Sequence, residues 1–212
     1  MNYLKFLFIS SITALLISCG GAEVEPRADP DVQRALDIAL IEDYIIENNF
    51  TGVDTTESGV RYIILDDGGR SEDIECGENC IDESDEVRFR YTGMLLDGTI
   101  FDSSVQKVGD SLNQYYKENP ALFESDTIPL FPDSKVYQAS SITYTQSGWS
   151  VRGFITGFSD GVSATFNKMN VGGTARIIIP SDLAYGASTP SYLIPRNAVL
   201  VFDLFPERVE KQ

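Results

Sequence analysis

Three stretches carry side chains of the types that do chemistry. The first is "GFSDG" (157–161), which fits G-x-S-x-G and would make Ser159 a nucleophile on a strand-to-helix turn. A serine nucleophile needs a base, and the chain contains no histidine. That excludes Ser-His-Asp and Cys-His catalysis and histidine-ligated metals. Lysine or a carboxylate would have to serve, and none is spaced near Ser159 to do so. The second stretch is "CGENC", with Cys76 and Cys80 in an acidic, glycine-containing segment. A metal site would need further Cys or His ligands, and a redox pair would be expected as C-x-x-C at a helix start. In an exported chain the pair reads as a disulfide staple, the alternative being two free thiols. The third is a set of aromatic-rich segments, drawn from 12 Phe and 10 Tyr, around 91–101, 154–158, 185 and 202.

The 212 residues suffice for one or two domains with a real core, and 42% hydrophobic content is globular. With 16 Lys+Arg against 32 Asp+Glu, the net charge is −16, which repels phosphate backbones and argues against a nucleic-acid partner. The chain opens "MNYLKFLFISSITALLISC": one early positive charge at Lys5, then an apolar run, Leu7 to Ile17, too short for a convincing membrane span. Its end, Leu16-Ile17-Ser18-Cys19, resembles the lipobox of bacterial lipoproteins. That resemblance implies cleavage before Cys19 and acylation there, with the acyl chains holding the protein on a membrane. Gly20, where some lipoproteins retained at an inner membrane carry Asp, tilts the expectation toward an outer membrane. The alternative is an ordinary signal peptide with Cys19 incidental.

These groups must be positioned by the rest of the chain. Residues 1–18 read as the lipoprotein signal peptide and 19–30 as a flexible tether. The N-terminal helix is placed in 31–55, with Asp29 as its N-cap and Pro30 at N1. Its expected apolar face is Val32, Ala35, Leu36, Ala39, Leu40 and Ile46. "SGVRYIILDDGG" (58–69) reads as a strand closed by a glycine turn. In "EVRFRYTGMLLDG" (86–98), Val87, Phe89 and Tyr91 alternate with Arg88, Arg90 and Thr92, and Asp97-Gly98 predicts a hairpin into "TIFDSS". "TARIIIP" (174–180) and "AVLVFDLF" (198–205) are further strands. Thr156 is read as capping a helix whose buried stripe is Phe158, Val162, Phe166 and Met169, with Ser159 one residue off it. The region from about 105 to 150 is expected to be an irregular surface-loop insertion, with a short helix over "SLNQYYKEN".

"YTGMLLDGTIFDSS" (91–104), "FITGFSDGV" (154–162), "MNVGGTARIIIPSDLAYG" (169–186) and "IPRNAVLVFDL" (194–204) occur in an order that closely resembles the FKBP-type peptidyl-prolyl cis-trans isomerases. The resemblance implies an α+β fold, a twisted antiparallel sheet half-wrapped around a short helix, over residues 56–212. It also implies isomerisation of X–Pro bonds in exported proteins, without cofactor or metal. Its partners would be proline-containing segments of exported polypeptides and, through the lipid anchor, a membrane of the bacterial cell envelope. By the same resemblance the pocket comprises Tyr91, Phe101, Asp102, Ile155, Phe158, Tyr185, Ile194 and Phe202. Phe158 would be the floor under the prolyl ring, and Tyr91, Phe101 and Phe202 the walls. The Ile155 N–H and Tyr185 hydroxyl would hold substrate carbonyls, Asp102 would make a polar contact with Tyr91 or the substrate, and Leu193 and Ile194 would overhang on the loop 187–198.

The chain departs from the family pattern in three places. Phe158 replaces the usual tryptophan, "SATF" (163–166) adds about one helical turn, and the segment between Ser104 and Phe154 is 49 residues long. That segment normally supplies one more pocket aromatic, for which Tyr144 and Trp149 are the candidates. Two rival readings remain at this stage: a proline-segment or protein-binding module of the envelope with little turnover, and a structural lipoprotein.

Overall fold

A computed structural model describes residues 29–70, 77–82, 85–118, 142–145, 155–191 and 193–211. The signal peptide, Cys19, most of the tether and Cys76 lie outside these residues. Helix α1 (Pro30–Glu47) starts where the sequence places it. The Asp29 carboxylate accepts the Asp31 N–H at 3.0 Å and Pro30 occupies the first turn. At its end Asn49 takes φ +55° and Gly52 φ +69°, left-handed conformations that stop the helix. Among the described residues seven antiparallel strands follow: β1 (Asp54–Thr55), β2 (Arg61–Asp66), β3 (Glu86–Leu95), β4 (Ile100–Ser103), β5 (Ile142–Thr145), β6 (Thr174–Ile179) and β7 (Leu200–Glu210). They run in the order β1-β2-β6-β7-β3-β4, with β5 also on β3. Helix α2 (Gln106–Glu118) follows β4, and α3 (Thr156–Phe166) lies between β5 and β6. This is the expected α+β class.

Alternation along the central strands gives the sheet two buried faces. Ile177, Ile179, Leu200, Phe202 and Leu204 join Phe89, Tyr91 and α3 in one core. Ile178, Val199 and Val201 point the other way and meet Ile41 and Tyr44 of α1. On that second face Arg176 and Asp203, cross-strand partners, form a bidentate pair at 2.6 and 2.8 Å, and Arg176 also donates to the Tyr44 hydroxyl.

The expected apolar face of α1 is corrected here. Val32, Leu36, Leu40 and Ile46 are 55%, 53%, 49% and 70% exposed, and Ala35 and Ala39 are exposed with them. The covered face is the opposite one, Asp37, Ile41 and Tyr44. The helix is apolar on both sides, and the covered side carries an aspartate that pattern reading assigns to solvent.

A second correction concerns α3. Its N-cap is Ile155, in extended conformation and without a side-chain hydrogen bond, and Thr156 is the first helical residue rather than the cap. The stripe itself is as read: Phe158, Val162, Phe166 and Met169 are fully buried. The glycines of "GFSDG" have a packing reason. A Cβ on Gly157 would lie 2.3 Å from Ile179 Cγ2, and one on Gly161 2.7 Å from Ile177 Cδ1. Both glycines let α3 approach β6 closely, and Ser159 lies off the contact. The described residues of the insertion form regular structure where an irregular loop was expected. Helix α2 is longer than the short one expected. Strand β5 pairs with residues 86–89 of β3, on the same edge that β4 occupies at 92–94. The insertion therefore splits one edge strand into two halves.

Gly161→Ala is expected to destabilise the chain by about 1–3 kcal/mol through overpacking on β6. Ser159→Ala should stay within about 0.5 kcal/mol of the wild type. Urea unfolding of both variants checks this.

Candidate active site

The site is built where β3, β4, β7 and α3 converge. Gly93, in the middle of β3, is paired with Asp102 on one side and Phe202 on the other. It has no side chain, so rings from the two flanking strands meet across it. A Cβ there would be 2.7 Å from both Phe101 Cε2 and Phe202 Cε1. The Phe101 and Phe202 rings stand edge to face at 5.6 Å. Phe202 continues to Phe158 at 4.9 Å, and Tyr91 touches Phe158 at 5.8 Å and Phe202 at 5.9 Å. Edge-to-face and tilted contacts of this kind place positive ring edges against negative ring faces.

Polar groups fix the rim. The Tyr91 hydroxyl donates to Asp102 Oδ2 at 2.6 Å, which locks the ring's orientation. At the end of β4 the Tyr91 backbone is held by two serines: its N–H donates to Ser104 Oγ at 2.8 Å, and its carbonyl accepts from Ser103 Oγ and from the Ser104 N–H. Thr92 Oγ1 and Ser103 Oγ are 2.9 Å apart. The insertion begins from this anchored point. Ile155 lies half-buried at the start of α3, its carbonyl accepting the Phe158 N–H. Tyr185 is half-buried on the turn that follows β6 and packs against the ring cluster. Burial, and secondarily the Asp102 charge, push its hydroxyl pKa above the usual tyrosine value, so the neutral donor is the favoured form. The sign follows for stability: this contribution is complete below the unfolded value near 10 and is lost as pH rises through the higher folded value.

The structure thus brings the eight sequence-predicted residues to one place. Tyr91, Phe101, Phe158, Ile194 and Phe202 share one buried cluster, with Ile155 and Tyr185 against it and Asp102 bonded to Tyr91. Leu193 packs on the same cluster. Phe158 carries no exposed surface, whereas Tyr91, Phe101 and Phe202 keep a little. Tyr144 is placed only by register, opposite Val87, and Trp149 falls outside the described residues. Sequence reasoning assigned no role to Gly93, Ser103 or Ser104, although all three lie in the quoted "YTGMLLDGTIFDSS". A small residue inside an alternating apolar strand was the available signal. Among the described residues no group of three or more metal-ligating side chains occurs.

The antiparallel sheet thus packs a cluster of rings, with one carboxylate at its edge, against a short helix. The chain matches, over residues 130–205, the family model described as FKBP-type peptidyl-prolyl cis-trans isomerase. Among curated proteins it is 28% identical over 186 residues to the FKBP-type 22 kDa peptidyl-prolyl cis-trans isomerase of Escherichia coli, covering 86% of this chain and 66% of that one. It is 28% identical over 161 residues to outer membrane protein MIP of Legionella longbeachae, covering 76% of this chain and 48% of the other. A solved peptidyl-prolyl cis-trans isomerase from Pseudomonas syringae aligns with a TM-score of 0.48 at 20% identity, covering 87% of this chain and 98% of that one. The chain is thus similar to FKBP-type peptidyl-prolyl cis-trans isomerases over part of its length. It spans about half to just under two thirds of the length of these two curated relatives.

Gly93→Ala is expected to force the Phe101 and Phe202 rings apart, lowering stability by about 1–3 kcal/mol. It should also shift the ring-current-displaced methyl resonances of Val162 and Ile194. Denaturant unfolding and methyl NMR together check this.

Proposed function

We propose that the chain isomerises X–Pro peptide bonds by non-covalent catalysis. The observation that carries this reading is the convergence of Tyr91, Phe101, Phe158 and Phe202 over Gly93, with Asp102 bonded to Tyr91 at the rim. An X–Pro amide must twist through a barrier of about 18–20 kcal/mol, and its uncatalysed exchange takes tens of seconds or longer. The planar amide places negative charge on the carbonyl oxygen, where water stabilises it, and the twisted amide loses that charge separation. An apolar, water-poor site therefore disfavours the planar state more than the twisted one. Lowering the barrier by about 5.5 kcal/mol yields roughly ten-thousandfold acceleration.

In this role Phe158 receives the prolyl ring, and Tyr91, Phe101 and Phe202 exclude water around it. The Ile155 N–H and the Tyr185 hydroxyl hold the flanking carbonyls. Phe158 is fully covered in the structure, so the prolyl ring reaches it as Leu193 and Ile194 move outward with the loop 187–198. The smaller ring of Phe158, where the family usually has tryptophan, offers less contact area and no indole N–H, so altered substrate preference is expected.

The envelope setting belongs to the same proposal. The lipobox ending at Cys19, the tether and the printed name of the Legionella relative, an outer membrane protein, support a lipid-anchored bacterial envelope protein. A Cys76–Cys80 staple is supported by the spacing of the two cysteines in an exported chain. Its clients are then proline-containing segments of exported polypeptides.

Exchange NMR on a short X–Pro peptide should show catalysed cis–trans exchange, reduced about tenfold or more by Phe158→Ala and by Asp102→Ala. Unchanged rates in both variants would overturn the site. The rate should be flat from about pH 6 to 9, because no histidine exists to titrate there and the Tyr185 hydroxyl ionises above its ordinary range. Metabolic labelling with palmitate should mark the wild-type chain and not Cys19→Ser.

A further inference from the structure

Helix α1 lies outside the residues matched by the family model, and on the opposite side of the sheet from the ring cluster. It nevertheless reaches the turn that carries Tyr185. Asp37 is fully buried, and its Oδ2 accepts both the Ser181 N–H at 2.8 Å and the Ser181 hydroxyl at 2.7 Å. Its Oδ1 accepts from Gln33 Nε2 at 2.8 Å. Ser181 is fully buried too, and its own carbonyl accepts the N–H groups of Ala184 at 3.0 Å and Gly186 at 2.8 Å. The Gly186 carbonyl in turn accepts the Asn197 N–H at 2.7 Å. Tyr185 is thus enclosed between two residues tied to Ser181, and the loop 187–198 is closed at its base by the second. One residue further along, Arg34 of α1 forms an ion pair with Asp182 and donates to the Ser58 carbonyl.

We propose that Asp37 is a positioning residue for the prolyl site: it holds Ser181, and through Ser181 the turn that aims the Tyr185 hydroxyl and anchors the overhanging loop. A buried carboxylate is costly to hold unless its hydrogen bonds are complete, and this one spends two of three on a single serine at the head of that turn. A stabilising helix needs no such bond to this particular turn, since the apolar contacts of Ile41 and Tyr44 already seat α1. The domain's reactive geometry then depends on a segment that precedes it in the chain. This rests on the isomerase reading for its catalytic consequence, but not for the linkage itself.

The experiment uses the full chain with 3-fluorotyrosine incorporated, the Tyr185 resonance being assigned by Tyr185→Phe. Asp37→Asn retains an acceptor for the Ser181 N–H, and Ser181→Ala removes only the hydroxyl bond, so each leaves a foldable chain, checked by a cooperative melt. Asp37→Asn is expected to move or broaden the Tyr185 fluorine line and to lower kcat/KM about tenfold on an X–Pro peptide. In the Tyr185→Phe background that loss should largely vanish, because both changes act through one hydroxyl. Glu42→Gln, which releases only the exposed bridge from α1 to Arg61, should leave both readouts unchanged. An unmoved Tyr185 line overturns the proposal. So does an equal loss of activity with and without the Tyr185 hydroxyl, or an equal loss in Glu42→Gln. If the wild-type chain shows no isomerase activity, the proposed function falls by itself, and the fluorine line alone decides the linkage.

Discussion

The site depends on a position that has no side chain. Gly93 sits in the longest-paired strand of the sheet, where any Cβ would collide with two phenyl rings. Because Gly93 brings no side chain, rings from β4 and β7 close over β3 and lean on Phe158 from α3. A sheet strand ordinarily separates its two neighbours' side chains by its own. Removing one side chain lets the two neighbours' rings meet over the strand and fill the space beside it. The cost is a weaker strand at that point, offset by the hydrogen bonds of Ser103, Ser104 and Thr92 that hold the neighbouring residues in register.

The same principle brings α3 against the sheet. Gly157 and Gly161, one helical turn apart, face Ile179 and Ile177 and allow the helix to approach closely enough for Phe158 to reach the rings of Tyr91 and Phe202. A G-x-S-x-G string here reflects packing and not nucleophile presentation. The two readings differ in which atoms matter: the elbow needs the serine hydroxyl, and the packing needs the two missing Cβ atoms.

The long insertion is tolerated for a topological reason. It leaves the edge strand after Ser103 and returns at Ile142, on the same edge of β3. Closing a longer loop between two points already fixed by pairing costs little more than closing a short one. The insertion therefore leaves the sheet intact while placing its first helix directly beside the strand that bears Phe101 and Asp102.

Much of this was legible in the residues. The strands of the central sheet follow from alternation, α1 begins at the Asp29-Pro30 signal, and the stripe on α3 follows from helical spacing. These are local properties: side-chain period, capping chemistry and turn glycines act within a few residues of chain. What the sequence could not determine is which of two faces is covered when both are apolar. Val32, Leu36 and Leu40 look like the inner face of α1, yet the sheet accepted Ile41 and Tyr44, and on that same covered face Asp37 meets Ser181, 144 residues away. The role of Gly93, the split of one edge between β4 and β5, and the grasp of α1 on the Tyr185 turn were likewise decided only by the tertiary structure. Each is a contact between residues distant in the chain, and no local pattern records which distant partner a side chain, or a missing one, will meet.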